Sequence, residues 1–465
     1  MRQSQLLQLL ERLDKKDLRE ARKWLQSPVH NLRADVLILF DYVVENLVKK
    51  PEHLTKEQAF AACHPGEPYQ EAQVNHLMSW LLAALRDYLS WREWQSDEPS
   101  VRLLCCRALR KLGLDSAFEK EWAAAYAALE SQPYRDEHYH HLSHLLQRER
   151  YEYISLLRRA ADLPLIEMGA HAATAYRLNS LRFECSMQVA QSVARRSSTQ
   201  IPKAPPALAA PSPHPTLPSI RLYENLLRAL RPPTDDLAFF EAKRLLELEW
   251  QLFRDTERRD LYLLALNFCI RKINGGQRQF MREAFDLYRS GLANKALFEH
   301  DLLSRFTYKN AVTAGLNLHE FDWVRTFIED YRIHLHPRER YSAYCYNLAV
   351  WHFWRHDYDQ AMTLLRETDF ADPLTNLDAR SILLKIYYTR NYHDALQSHL
   401  DSFLSYLRRQ KDIGYQRDNY LNLIRFAKKL LRLDAKDKIG RAAIRQEVDQ
   451  TTALAEREWL LEQLR

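Results

Sequence analysis

The sequence predicts an all-α protein: antiparallel helix pairs stacked as an α-solenoid, with an additional helical domain towards the N-terminus. Three observations predict it. Apolar residues recur with helical spacing along most of the chain, strand and hairpin signals are nearly absent, and aromatic residues recur every 34–37 positions in the second half. About twenty helices with short connections account for the length.

In chain order, Thr55-Lys-Glu-Gln58 has the form of a capping box that opens a helix, because the threonine oxygen can accept from the third amide onward. "VNHLMSWLLAALRDYL" places Val74, Leu77, Trp80 or Leu81, Ala84 and Tyr88 on one face. Trp80, Trp91, Trp94, Trp351 and Trp354 stand at helical spacings and are expected in the core. Gly113 follows "RALRKL" where a left-handed helix end is expected, and "GLDSAFEKEWAAAYAAL" after it reads as part of a repeat-like pair.

From Ser197 to Ser219 the chain carries seven of its eighteen prolines. Proline lacks an amide donor and clashes with the preceding turn, so no helix is expected to continue. The spacings Pro202–Pro205 and Pro215–Pro218 would suit an aromatic-lined groove, but a stiff linker is the simpler reading. The expected organisation is an N-terminal helical domain over 1–196, a linker or loop over 197–219, and a repeat domain over 220–465. Gly275-Gly276 reads as a break between two helices.

The repeat centres on "RHDYDQAMTLLRETDFADP" (355–373). Small Ala349 and Ala361 let the two helices of a pair approach closely, Tyr358 fills the wedge by the turn, and Pro373 opens the next pair. Phe321, Tyr358 and Tyr392 lie 37 and 34 residues apart. A pair cannot bury its apolar faces alone, so neighbouring pairs must stack.

This spacing resembles the tetratricopeptide repeat over about 303–410. The sequence departs from that pattern at His352, where an aromatic is usual, at Cys345 in place of tryptophan, at Leu383 in place of a small residue and at Val324 in place of alanine. The resemblance implies a concave groove lined by early positions of each first helix. Counting back from Val324 and Ala361, Asn310 and Asn347 share one such position, and Lys309, Tyr346 and Arg380 fall one place before it. The family's carboxylate-binding groove uses Asn and basic residues near these places. Asn offers donor and acceptor to an extended peptide, and Lys or Arg meets a carboxylate. Two further stretches, "LYLLALNFCIRKINGGQRQFMREAFDLYRSGL" and "EREWLLEQL", resemble helical-repeat proteins of Bacteroidota-type bacteria, which brings no activity with it.

Composition narrows the function classes. Nine glycines in 465 residues, with no GxGxxG, GxxxxGK[ST] or GxSxG, argue against nucleotide-dependent and nucleophile-elbow enzymes. Six scattered cysteines without CxxC suit a reducing compartment. No apolar window long enough to span a membrane occurs, and the first residues do not form a secretory signal, so a cytoplasmic location without membrane contact is expected.

Two further constellations stand out. "DEHYHHLSHLL" puts Glu137, His140, His141 and His144 at helical spacings that could hold a metal, but one helix seldom closes a ligand set, so no metal or other cofactor is expected. Between Ser405 and Arg445, twelve Lys/Arg face four Asp/Glu, and Arg425, Lys428, Lys429 and Arg432 share one helix side with Tyr415, Tyr420 and Phe426 interleaved. The expected function is non-enzymatic: a scaffold or adaptor that binds a protein or peptide on a concave surface. The alternative is nucleic-acid binding through the basic stretch.

Overall fold

The computed structural model describes all residues except 2–3, 50–52, 158–163, 198–216, 371, 411–413, 415 and 434–436. The protein is all-α. Among the described residues there are 22 α-helices and one two-stranded hairpin, β1 (Phe298–Glu299) with β2 (Leu302–Leu303). No helix among them is long and apolar enough to cross a membrane. The chain forms two compact units, residues 1–132 with 141–169, and residues 133–140 with 170–465. Of the expected linker only the ends are described: Ser197 closes one helix, and Pro218 opens the next at the position where its missing amide costs nothing.

The first unit begins with α1 (Gln5–Leu10), α2 (Lys15–Gln26), α3 (Ala34–Lys49), α4 (Lys56–Cys63) and α5 (Glu71–Gln95) around a core of Leu39, Phe40, Phe60, Leu77 and Leu81. The Thr55 hydroxyl accepts from the Gln58 amide at 3.3 Å, so the cap read from sequence forms. The tryptophans on α5 depart from expectation. Leu81 takes the core position, while Trp80, Trp91 and Trp94 are 44, 42 and 38% exposed. The Arg33 guanidinium covers Trp80 at 3.6 Å, and Trp91 leans on Trp24 at 5.2 Å. Next come α6 (Glu98–Lys111), α7 (Asp115–Glu130), α8 (Glu137–Leu157) and α9 (Leu165–Ser197); the division between the units falls within α8 and at the start of α9. Buried Glu149 is held by Arg107 at 2.6 Å and Arg110 at 2.8 Å, so its charge is paired twice.

The second unit continues with α10 (Pro218–Leu230), α11 (Asp236–Glu249), α12 (Asp255–Asn274) and α13 (Phe280–Ala293), followed by the hairpin. Next are α14 (Arg305–Asn317), α15 (Phe321–Tyr331), α16 (Pro337–Trp354), α17 (Tyr358–Glu367), α18 (Pro373–Thr389) and α19 (His393–Arg409). The chain closes with α20 (Gln416–Arg432), α21 (Lys438–Gln450) and α22 (Arg457–Gln463). Helices pair as α10/α11, α12/α13, α14/α15, α16/α17 and α18/α19, and α14 packs on α16 and α16 on α18. Ala349 and Ala361 are fully buried between partners, as their size predicts.

One turn recurs. A residue at positive φ follows the first helix: Gly276, His319, His356 and Asn391 in this unit, and Gly113 in the other. The next amide donates five residues back in each case, Gln277 to Lys272 (3.0 Å), Glu320 to Gly315, Asp357 to His352 and Tyr392 to Tyr387 (2.9 Å each), and Leu114 to Leu109 (3.1 Å). This closes the carbonyls that a helix end leaves open. The last three turns of the second unit are spaced by 37 and 35 residues, 319 to 356 to 391. The third unit therefore differs by one from the sequence spacing: Tyr392 precedes α19 and His393 opens it, in the place of Phe321 and Tyr358.

The short hairpin is in keeping with strand signals that are nearly absent from the sequence. Its turn residues His300 and Asp301 both have positive φ, the conformation usually given to Asn-Gly, so no glycine marks it in the sequence.

Candidate functional site

Four alternate helices, α14, α16, α18 and α20, line a cavity of about 350 Å³, to which α15, α17 and α19 contribute nothing among the lining residues. Position relative to the left-handed turn residue explains the lining. Phe306, Ala343 and Asp378 each stand 13 residues before their turn residue, and Asn310 and Asn347 each stand nine before. Equal positions on stacked equivalent helices face the same side.

Of the groove residues read from sequence, Lys309, Asn310, Tyr346 and Asn347 all line this cavity. Arg380 is not among the lining residues. The one-residue difference in the third unit puts it level with buried Tyr308 and Cys345, and it turns towards α19, with Nε on Asn376 Oδ1 (2.7 Å), Nη1 near Ser402 Oγ (3.4 Å) and its guanidinium over Tyr406.

The charges at the site are largely paired. Arg305 meets Glu339 and Asp372, each at 3.1 Å. Lys309 pairs with Asp378, whose other oxygen accepts from the Tyr420 hydroxyl at 2.6 Å. Arg338 is exposed and has no ion-pair partner among the described residues. Burial lifts the Asp372 carboxyl, but the Thr375 amide and hydroxyl and the Arg305 charge outweigh it and hold the group below its ordinary value. Burial, reinforced by Asp378, drives the Tyr346 and Tyr420 phenols upward, so both stay neutral. Phe370 meets Tyr346 edge-on at 6.1 Å, and half-exposed Phe306 and Leu374 form an apolar rim.

Asn347 is the most informative side chain. It is 2% exposed, and its Nδ2 donates to the Ala343 carbonyl at 2.8 Å. That bond fixes the amide orientation, since the flipped form would set oxygen against oxygen. Oδ1 is left buried without a hydrogen-bond partner among the described residues. A buried acceptor without a donor costs about 1–3 kcal/mol, so the site holds an unmet demand for a donor.

No protein-family model, curated protein or solved structure matches the chain. The geometry alone therefore carries the functional reading.

The basic residues of α20 diverge in their partners. Lys428 bonds Asp401 of α19 at 2.6 Å, Lys429 pairs with Glu447 of α21, and Arg425 and Arg432 are exposed without an ion pair among the described residues. Phe426 and Tyr420 are buried; Tyr415 lies outside the described residues. The histidines disperse as well. Buried His140 approaches His171 Nδ1 to Nδ1 at 3.0 Å, His144 Nδ1 donates to the Met168 carbonyl at 3.1 Å, His141 is exposed and Glu137 lies in the first turn of α8. No group of three or more His, Cys, Asp or Glu placed to hold a metal occurs among the described residues.

A larger cleft of about 1010 Å³ runs along the turn edge, walled by His319, Trp354, Arg355 and His356 on one side and Glu456, Glu458 and Trp459 on the other. Its Lys385–Glu456 and Arg278–Glu458 pairs already join the walls. Arg305, Phe370 and Asp378 of the smaller cavity carry no role in the sequence reading, and Tyr420 figures there only as an aromatic of the basic stretch. The signal for Asp378 was its place in the Phe306–Ala343 series, visible only once the third unit is counted at 35 rather than 34.

Proposed function

We propose that the second unit is a tetratricopeptide-like repeat scaffold, non-enzymatic and cytoplasmic, that binds a protein segment in the cavity formed by α14, α16, α18 and α20. The supporting observation is the lining of one cavity by alternate helices of stacked pairs, with a buried Asn347 oxygen that lacks a donor among the described residues. An extended segment supplies both main-chain donors and an apolar side chain for the Phe306 and Leu374 rim. Nucleic-acid binding through α20 has less support, because Lys428 and Lys429, two of its five basic residues, already spend their charge on Asp401 and Glu447.

The test is capture from native lysate with the tagged full chain, with and without nuclease, for wild type, Asn347→Leu, and Arg425→Glu with Arg432→Glu. The proposal expects a protein partner that survives nuclease and is lost with Asn347→Leu alone. Co-purifying nucleic acid, lost with the arginine reversals, would sink it.

A further inference from the structure

The floor of the α14/α16/α18/α20 cavity is unusual in what it offers a ligand. Asp378 presents a carboxylate anchored by Tyr420, and Tyr346 presents a buried ring. A carboxylate and an aromatic face both favour a positively charged hydrogen-bond donor. The chain itself supplies one: Lys309 reaches from α14, pairs with Asp378 and sits with its ammonium 5.3 Å from the centre of the Tyr346 ring. The other lining cations do not make this an anion site: Glu339 and Asp372 both hold Arg305 at 3.1 Å, and Arg338, without an ion pair among the described residues, is exposed to solvent rather than half-buried with the carboxylate.

We infer that this cavity is a receptor for an ammonium or guanidinium group, so that the bound segment inserts a lysine or arginine side chain, and that Lys309 is a resident occupant of the same subsite. The inference rests on the reading of the cavity as the binding site and adds the ligand class. The incoming cation takes over the Asp378 carboxylate and the Tyr346 face that Lys309 holds. Lys309, one-third exposed, swings outward to solvent as it is displaced. Lys309 therefore lowers the affinity for cationic side chains that the cavity floor would otherwise show.

The probe is a capped pentapeptide with a central lysine among alanines, together with its Nε-acetyl-lysine and glutamate forms, titrated against the full chain by ligand-observed NMR. Lys309→Met, with Lys309→Gln as a second variant and helix content as the folding check, should bind the lysine peptide about tenfold more tightly than wild type. Adding Asp378→Asn should remove the gain, and the acetylated and glutamate forms should show none. A gain for the acetylated or glutamate form, or no gain for lysine in either folded variant, would overturn the inference. Its failure is distinguishable from that of the binding reading. A captured partner lost with Asn347→Leu, but indifferent to replacement of its own Lys and Arg, refutes the cation subsite alone. A lysine-peptide gain with no partner dependent on the cavity refutes the scaffold reading alone.

Discussion

Two buried polar residues of the second unit carry opposite lessons. Asn347 keeps an acceptor buried without a donor among the described residues, which is costly for folding and, under the proposed function, reserved for a bound segment. Asn347→Leu removes that cost within similar volume. We expect its thermal midpoint to equal or exceed that of wild type while partner capture is lost, whereas a merely structural asparagine would lower the midpoint on replacement. Glu257 carries no such argument for binding. It is 6% exposed, accepts from the Tyr223 hydroxyl at 2.8 Å, and burial lifts its carboxyl from 4.5 to about 7, with the Tyr223 bond opposing and Asp136 assisting. A carboxyl raised in the folded state contributes stability that is fully present below 4.5 and is lost as pH rises through 7. Glu257→Gln should therefore flatten the decline in stability between pH 5 and 8, and at pH 8 exceed wild type by about 2–3 kcal/mol in denaturant titrations. Unchanged pH dependence in the variant would show that the wild-type carboxyl is already ionised. Of the cysteines, all but Cys105 are buried, and burial pushes the Cys63 thiol up to about 11 and those of Cys106 and Cys185 up to about 12, so these three are unreactive packing residues.

At the scale of the element, the recurring turn explains both what was legible and what was not. Helix existence followed from periodicity and caps, and Thr55, Gly113, Gly276 and Pro373 all stand where the sequence put them. The turns at 319, 356 and 391 were harder to see because His, His and Asn fill a conformation that usually calls for glycine. The aromatic series Phe321, Tyr358 and Tyr392 sets the third register by side-chain type rather than by the turn, one residue short, and Arg380 lies not at the cavity but against Ser402 and Tyr406 of α19. Gly315 was overlooked for the reverse reason. It looks like a helix-weakening glycine, yet a Cβ there would lie well inside contact distance of Val324 Cγ2 and 3.2 Å from the Phe285 ring. The turn itself is testable. A non-glycine residue at left-handed φ costs roughly 1–2 kcal/mol, less for Asn, and glycine gives part of that back as unfolded-state entropy. His319→Gly should stabilise by a few tenths to about 1 kcal/mol and Asn391→Gly by less, while β-branched His319→Val should destabilise. Equal effects for both glycine variants would show that the φ cost does not govern these turns.

For the whole molecule, the distinguishing quantity is how binding responds to salt. A formal charge of +6 over 465 residues is small, and two of the twelve basic residues that the sequence concentrates in 405–445, Lys428 and Lys429, are paired in the folded chain with Asp401 and Glu447. The sequence shows the charges, but not that α19 and α21 bring carboxylates to either flank of α20, since those partners lie 27 and 18 residues away. Arg417, Arg425 and Arg432 remain exposed without ion pairs among the described residues. If α20 alone met a nucleic acid through these three, the logarithm of affinity would fall with the logarithm of salt at a slope of about −3, against about −5 or steeper for a surface making six or more phosphate contacts. Cavity binding behaves differently again. The transfer of a partner's cation onto Asp378 with release of Lys309 exchanges one ion pair for another, so few counterions are gained or lost. Titration of a captured partner from 50 to 300 mM salt should therefore change affinity by less than about threefold. The arginine reversals on α20 should leave that curve in place, and Asn347→Leu should abolish it. A slope of −2 or steeper that the reversals flatten would transfer the function from the concave cavity to the basic helix.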